Sequence, residues 1–246
     1  MTITNSSPAE TRIFENAEAL AHYTAEWISR LALASDRDFA VCLSGGSTPR
    51  RLYQSLADPV IASRFPWSRT HWFWGDERFV PHDHRDNNFR MARDAFLMRM
   101  PVPDSNIYAV PTEGLSPEQA AAAYETTLKC FYGAQTIVPG QPLFDLTLLG
   151  IGEDGHTASL FPGQPALLET QRWAVAVIRK NCDPRITLTY PALNSSRDVA
   201  FLATGVHKSD VVARAHAGDE ALPAAIVRPV GRLHWFTDRA AAEGAN

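Results

Sequence analysis

The sequence predicts an α/β protein, a mostly parallel twisted sheet with helices on both faces. Three observations carry that expectation. Short apolar runs alternate with amphipathic stretches along the chain. The apolar runs stop at glycine or at polar residues. No internal repeat or low-complexity segment interrupts the order. In an open sheet of this kind ligands bind outside the carboxyl ends of the strands. The polar segments that end the strands are therefore the places to look for chemistry.

Each element follows from local pattern. Residues ~15–33 are expected to be helical, because Ala19, Leu20, Tyr23, Trp27, Ile28 and Leu31 fall near one face. Phe39-Ala40-Val41-Cys42-Leu43 is a buried strand ending at Ser44-Gly45-Gly46. A helix from about Pro49 to Leu56 follows, with Ser47 or Thr48 as its cap. His71-Trp72-Phe73-Trp74 is a second strand, closed by a loop Gly75-Asp76-Glu77-Arg78. Asn87 to about Met98 is helical, Asn106–Val110 a short strand, and residues ~116–133 a helix capped by Ser116 with Pro117 first. Phe144–Leu149 is a buried strand ending at Gly150 and Gly152. Further strands are expected near Trp173–Ile178, Arg185–Tyr190, Val199–Thr204 and Leu233–Phe236, with a helix from near Val206.

Composition narrows the function classes. The 246 residues, 45% hydrophobic and 20% charged, are expected to form one domain over 1–246, with Ala240 to Asn246 a mobile tail. Net charge is -4, from 23 basic and 27 acidic residues, so no overall attraction for nucleic acid or an anionic membrane is expected. Cys42, Cys130 and Cys182 have neither metal nor disulfide spacing, which fits a reducing compartment, the cytoplasm. Met1–Ser7 has neither the basic start nor the apolar segment of a signal peptide, and no run is long enough to span a bilayer.

Four polar clusters stand at predicted strand ends. Asp154-Gly155-His156 follows the strand at Phe144–Leu149; an acid two residues from a histidine orients the imidazole or shares a proton with it. Ser44-Gly45-Gly46-Ser47-Thr48 offers backbone N–H groups and hydroxyls at a helix start, which suits an anion. It is neither a P-loop nor a dinucleotide fingerprint, for want of the Gly-Lys-Ser/Thr ending and of the spacing. Asp76, Glu77 and Arg78 concentrate charge after an aromatic strand. Lys208, one of only three lysines, opens a helix after Gly205, and Arg185 opens a strand. His82-Asp83-His84 looks like a metal cluster, but no spacing fixes these residues on one face; capping by Asp86 or Asn87 accounts better for the segment.

Together these segments resemble the 6-phosphogluconolactonase family, within the wider glucosamine-6-phosphate deaminase and ribose-5-phosphate isomerase-like fold, a modified Rossmann-like architecture. The matching pieces are Leu43–Pro49, Trp74–Pro81, Asp86–Phe89, Gly150–Gly163, Arg185–Thr189 and Gly205–Lys208, in the family's order across most of the chain. Asn87 stands where the family commonly shows Ser. The resemblance implies hydrolysis of 6-phospho-D-glucono-1,5-lactone to 6-phosphogluconate in the pentose phosphate pathway. His156 would be the general base and Asp154 its orienting acid. The substrate and its phosphate would meet Ser44, Gly45, Gly46, Ser47, Thr48, Asp76, Arg78, Arg185 and Lys208. Backbone N–H groups of Gly45-Gly46 or Gly152–Gly155 would stabilise the oxyanion. No metal or organic cofactor is required; the partner is a small phosphosugar lactone, and the protein itself is expected to be a monomer or small homo-oligomer.

Two alternatives are a glucosamine-6-phosphate deaminase/isomerase and a non-enzymatic sugar-phosphate sensor. The deaminase family has a glutamate five residues after the histidine, where this chain has Phe161, and a tyrosine where it has Arg78. Sensors of this fold carry a DNA-binding helix pair ahead of the domain; the residues before the first predicted strand read as one helix.

Overall fold

The computed structural model describes residues 9–243. Met1–Ser7 and residues 244–246 of the expected tail lie outside the described residues. In chain order the elements are β1 (Glu10–Phe14), α1 (Ala17–Ala34), β2 (Phe39–Leu43), α2 (Ser47–Leu56), α3 (Pro59–Ala62), β3 (Thr70–Trp74), β4 (Asp76–Arg78), α4 (Asn88–Ala95), α5 (Pro117–Tyr132), β5 (Phe144–Leu149), β6 (Ala174–Val177), β7 (Arg185–Leu188), α6 (Tyr190–Asn194), β8 (Ser196–Ala203), α7 (Ser209–His216), β9 (Arg232–Asp238) and α8 (Arg239–Glu243).

Six strands form one parallel sheet in the order β1-β9-β8-β5-β2-β3, the mostly parallel α/β arrangement that the alternating pattern implies. Its central strands are buried on both faces, as expected when helices cover a parallel sheet. The polar residues inside it are satisfied. Asp145, buried in β5, accepts from the Ala40 N–H at 2.9 Å and pairs with Arg37 at 2.5 Å. Thr147 shares a hydrogen bond with Ser196 of β8 at 2.8 Å. The chain runs outward from β2 to β3 in one direction and from β5 through β8 to β9 in the other. The switch point lies between β2 and β5, where the loops diverge and leave a crevice.

Several local expectations are corrected. The charged segment after β3 is not a loop: Asp76–Arg78 is strand β4, which pairs antiparallel with β7 in a second sheet of order β4-β7-β6. The edge strand β1 is too polar to announce itself; pairing with β9, not an apolar pattern, makes it a strand. Asn106–Val110 contributes only a bridge between Ile107 and Trp72. Helix α2 starts at Ser47 on the backbone of Gly46, with no side-chain cap from Ser47 or Thr48. Helix α4 ends at Ala95, with a 3-10 turn at Leu97–Arg99 beyond it. Residues 240–243, expected in a mobile tail, belong to α8, because Ala241 is buried and its N–H donates to Asp238 at 2.9 Å. The caps of α4 by Asn87 and of α5 by a Ser116–Gln119 capping box are as local chemistry dictates.

Candidate active site

The carboxyl ends of β2, β3, β5 and β8 meet around one cleft of about 350 Å³. Ser44, Gly45 and Gly46 enter from the end of β2, and Asp76 and Arg78 from β4. Gly150, Gly152 and His156 come from the loop after β5, Arg185 from β7 and Lys208 from the turn after β8. Residues more than 150 apart in sequence thus share one wall.

His156 is placed by two glycines. A Cβ at Gly152 would lie 2.0 Å from His156 Nδ1, so only glycine lets the loop fold back under the ring. Gly155 has φ +81°, and a Cβ there would also strike Leu222 at 2.5 Å. The loop is closed by Gly152 N–H donating to the His156 carbonyl at 2.8 Å and Gly155 N–H to the Gly152 carbonyl at 3.0 Å. Those two donors are engaged, so they are not available to an oxyanion. The N–H groups of Gly45 and Gly46, the other pair the sequence offers, have no backbone or side-chain acceptor among the described residues.

Asp154 Oδ1 lies 2.5 Å from His156 Nδ1 and accepts from the His156 N–H at 3.1 Å. Partial burial pushes the Asp154 carboxyl up, but the hydrogen bonds from His156 outweigh it and hold the group below the usual carboxylate value. An ionised Asp154 fixes the proton on Nδ1 and leaves Nε2 as a lone-pair acceptor. The ring is partly exposed and packs against Phe161, with centroids 4.5 Å apart.

The cationic side of the cleft is unusual. Register places Arg78 opposite Arg185 across β4 and β7, where like charges are destabilising. Burial, and then the repulsion of Arg78, holds the Arg185 pKa below the ordinary arginine value. Arg179, which the sequence reading passed over, lines the same cleft. Its only signal in sequence was its place six residues before Arg185, in an unpatterned loop. None of Arg78, Arg179, Arg185 and Lys208 forms an ion pair with a carboxylate among the described residues.

Two expected site residues are not on this wall. Thr48 Oγ1 is bonded to Thr204 Oγ1 at 2.8 Å, tying α2 to the end of β8, and Ser47 is exposed outside the cleft lining. Their contribution would be backbone at the start of α2, not hydroxyls. Asp76 lines the cleft but is held from below: Ser159 Oγ donates to its Oδ2 at 2.6 Å. As a carboxylate it suits a sugar hydroxyl and repels a phosphate. Asn88, within the Asp86–Phe89 segment but not among the expected site residues, lines the cleft and donates to the Asp76 carbonyl at 3.0 Å. The His82-Asp83-His84 segment is not arranged as a metal site: among the described residues no group of three or more His, Cys, Asp or Glu could hold a metal ion, and His82 Nε2 lies 3.0 Å from the Val110 carbonyl.

A sequence model described as glucosamine-6-phosphate isomerases/6-phosphogluconolactonase matches residues 14–235. The chain belongs to the glucosamine-6-phosphate isomerase/6-phosphogluconolactonase family. Within that family it is 42% identical over 215 residues to a 6-phosphogluconolactonase of Synechocystis, covering 86% of this chain and 87% of that protein. It is 43% identical over 214 residues to one of Nostoc, covering 85% and 86%. The structure of 6-phosphogluconolactonase from Thermotoga maritima superposes with TM-score 0.78 at 31% identity, over 94% of this chain and 100% of that one. A monomeric glucosamine-6-phosphate deaminase superposes with TM-score 0.81 at 18% identity, over 95% and 99%, which shows the shared fold and no more.

Proposed function

We propose that this protein hydrolyses 6-phospho-D-glucono-1,5-lactone to 6-phospho-D-gluconate, the lactone-opening step of the pentose phosphate pathway, by general-base activation of water. One observation carries the reading: the His156–Asp154 pair stands on the same cleft as Arg78, Arg185 and Lys208, cations with no carboxylate partner among the described residues. The names of the relatives at 42% and 43% identity support it.

The steps follow from the groups. His156 Nε2 takes a proton as water oxygen bonds to the lactone carbonyl carbon. The carbonyl oxygen becomes an oxyanion, which the N–H groups of Gly45 and Gly46 meet. The intermediate collapses by breaking the bond to the ring oxygen, and the His156 imidazolium returns its proton there. Asp154 holds the ring and stabilises that imidazolium. Arg78, Arg185 and Lys208 take the phosphate, and Asp76 takes a ring hydroxyl. No metal or organic cofactor enters, since the ester is reactive and its leaving group stays tethered. Cys42, Cys130 and Cys182 are free thiols, which fits the cytoplasm as the place of action. No helix among the described residues is long and apolar enough to cross a membrane.

The deaminase alternative needs an acid beside the histidine to open a sugar ring. Phe161 occupies that position and offers His156 only its ring. The deciding assay follows freshly generated 6-phosphogluconolactone over its spontaneous hydrolysis, by proton release at neutral pH or by NMR. Accelerated loss, without ammonia from glucosamine 6-phosphate, is expected. Ammonia without lactone loss reverses the assignment, and silence in both favours a sensor. Arg185→Ala and Lys208→Ala should each lower kcat/KM, since a charge-assisted contact contributes about 1.5–3 kcal/mol.

A further inference from the structure

Arg179 belongs to no strand and to none of the motifs, yet its surroundings are built. It follows β6 on the loop that leads to β7. Its guanidinium carbon lies 3.6 Å from the centroid of Phe161. Phe161 is itself buried, and packs against the His156 imidazole. A cation seated on an aromatic face is held by the ring quadrupole, and the guanidinium keeps its N–H donors in its own plane, at its edge. Among the described residues those donors have one hydrogen-bond partner, Cys182 Sγ, 3.8 Å from Nη2 and a weak acceptor.

A second observation points to an anion. Buried Nε–H groups without an acceptor occur at three arginines among the described residues: Arg78, Arg179 and Arg185. All three line the cleft that holds His156. They also repel: Arg78 and Arg179 both act to lower the Arg185 pKa, after burial. Three guanidinium groups gathered against their mutual repulsion, each with an unengaged donor, match a tetrahedral dianion with several acceptor oxygens.

We propose that Arg179 is a specificity-determining residue that binds the phosphate of the substrate, and that Phe161 is the spacer fixing its distance from His156. The proposal rests on the lactonase reading above. The ring gives one rigid body with the base at one contact and the phosphate-binding cation at another. A lactone anchored by its phosphate would then present its carbonyl at a set distance from Nε2.

The test compares 6-phosphogluconolactone with unphosphorylated glucono-1,5-lactone, as a ratio of kcat/KM values. Arg179→Ala should lower that ratio by ~10- to 100-fold, mostly through KM. Arg179→Lys should recover only part, because it restores the charge but not the planar fork. Phe161→Leu should lower the ratio too, and Arg179→Ala added to Phe161→Leu should lower it little further. Calorimetric titration with inorganic phosphate gives a readout independent of turnover, and Arg179→Ala should bind it more weakly. An unchanged ratio and unchanged phosphate affinity in a folded Arg179→Ala protein, with Arg185→Ala impaired, overturns the proposal while leaving the lactonase reading intact. Equal loss on both lactones overturns it also, by placing Arg179 at the carbonyl end. A wild type that binds phosphate through Arg179 but leaves both lactones untouched removes the lactonase reading and keeps the anion site.

Discussion

Among the described residues two histidine–aspartate pairs lie within 3 Å, at opposite ends of the parallel sheet. His156 and Asp154 sit beyond the carboxyl end of β5, 2.5 Å apart. His234 and Asp198 sit on neighbouring strands near the amino ends of β9 and β8, 2.7 Å apart. Geometry within the pair does not separate them; surroundings do. Both nitrogens of His234 face carboxylates, Asp198 at Nε2 and Glu10 at Nδ1, 3.5 Å away. Its ring is 3% exposed and packs on Trp27 and Phe236, and Asp198 is further tied to Arg232 at 3.0 Å. His156 has one nitrogen engaged, and its Nε2 has no partner among the described residues. A pair closed on all sides ties strands together, whereas a pair with one open nitrogen on a cleft can move a proton.

The largest effect that would break this contrast is at His156. His156→Ala should lower kcat on the phosphorylated lactone by ~100- to 10,000-fold. Its melting temperature should stay within ~2 °C, because the ring contributes little to the core. Near-normal turnover in a folded variant would remove His156 from the chemistry and with it the distinction between the pairs.

The converse substitution is Asp198→Asn. Removing one member of a buried pair costs about 3 kcal/mol, which for a chain of this size lowers the melting temperature by ~6–12 °C. Turnover at 25 °C should remain within about twofold of wild type, since the pair is remote from the cleft. A large loss of kcat with intact stability would show that the buried pair serves catalysis.

Asp154→Asn should reduce kcat ~10- to 100-fold, through a misplaced tautomer. Hydrogen bonds from His156 hold the Asp154 carboxyl below its ordinary value, so it stays ionised as pH falls toward ~4. The NMR signal of the Asp154 carboxylate carbon should therefore keep its ionised position from pH 8 to pH 5. A move of that signal to its protonated position between those values would mean that Asp154 itself titrates there.

The smallest effect concerns acid stability. Burial pushes the Asp198 carboxyl up, but the bonds from His234 and Arg232 outweigh it and leave the pKa lowered. Such a group stabilises the fold above its unfolded pKa, about 3.9, and that contribution is lost as pH falls through the lower folded value. Urea melts between pH 6 and pH 3 should show wild type losing this increment only below ~4. The profile of Asp198→Asn should lack it.

Much of the site was legible because it is local. Asp154-Gly155-His156 places its acid, hinge and base within three residues, so short-range geometry fixes their relation. The alternation of buried strands and helices likewise specifies a parallel sheet, since crossovers admit one handedness. Arg78 and Arg185 were recognised as residues at strand ends, but not as cross-strand neighbours. Their pairing depends on β4 being a strand, which three charged or acidic residues do not announce. The engagement of the Thr48 hydroxyl was not legible, because its partner, Thr204, is 156 residues away. Arg179 was missed for the same reason: the ring that seats it is on another loop.

The sequence by itself determined the class of fold, the polar strand ends that line the cleft, and the His156–Asp154 pair with the glycines that let it form. These follow from periodicity and from steric limits acting over a few residues. Tertiary structure alone decided which of the two tight histidine–aspartate pairs is open, which hydroxyls and N–H groups are engaged, and which arginines converge on one cleft. Burial and unpaired charge are properties of what surrounds a group, and those surroundings come from strands and loops far apart in the chain.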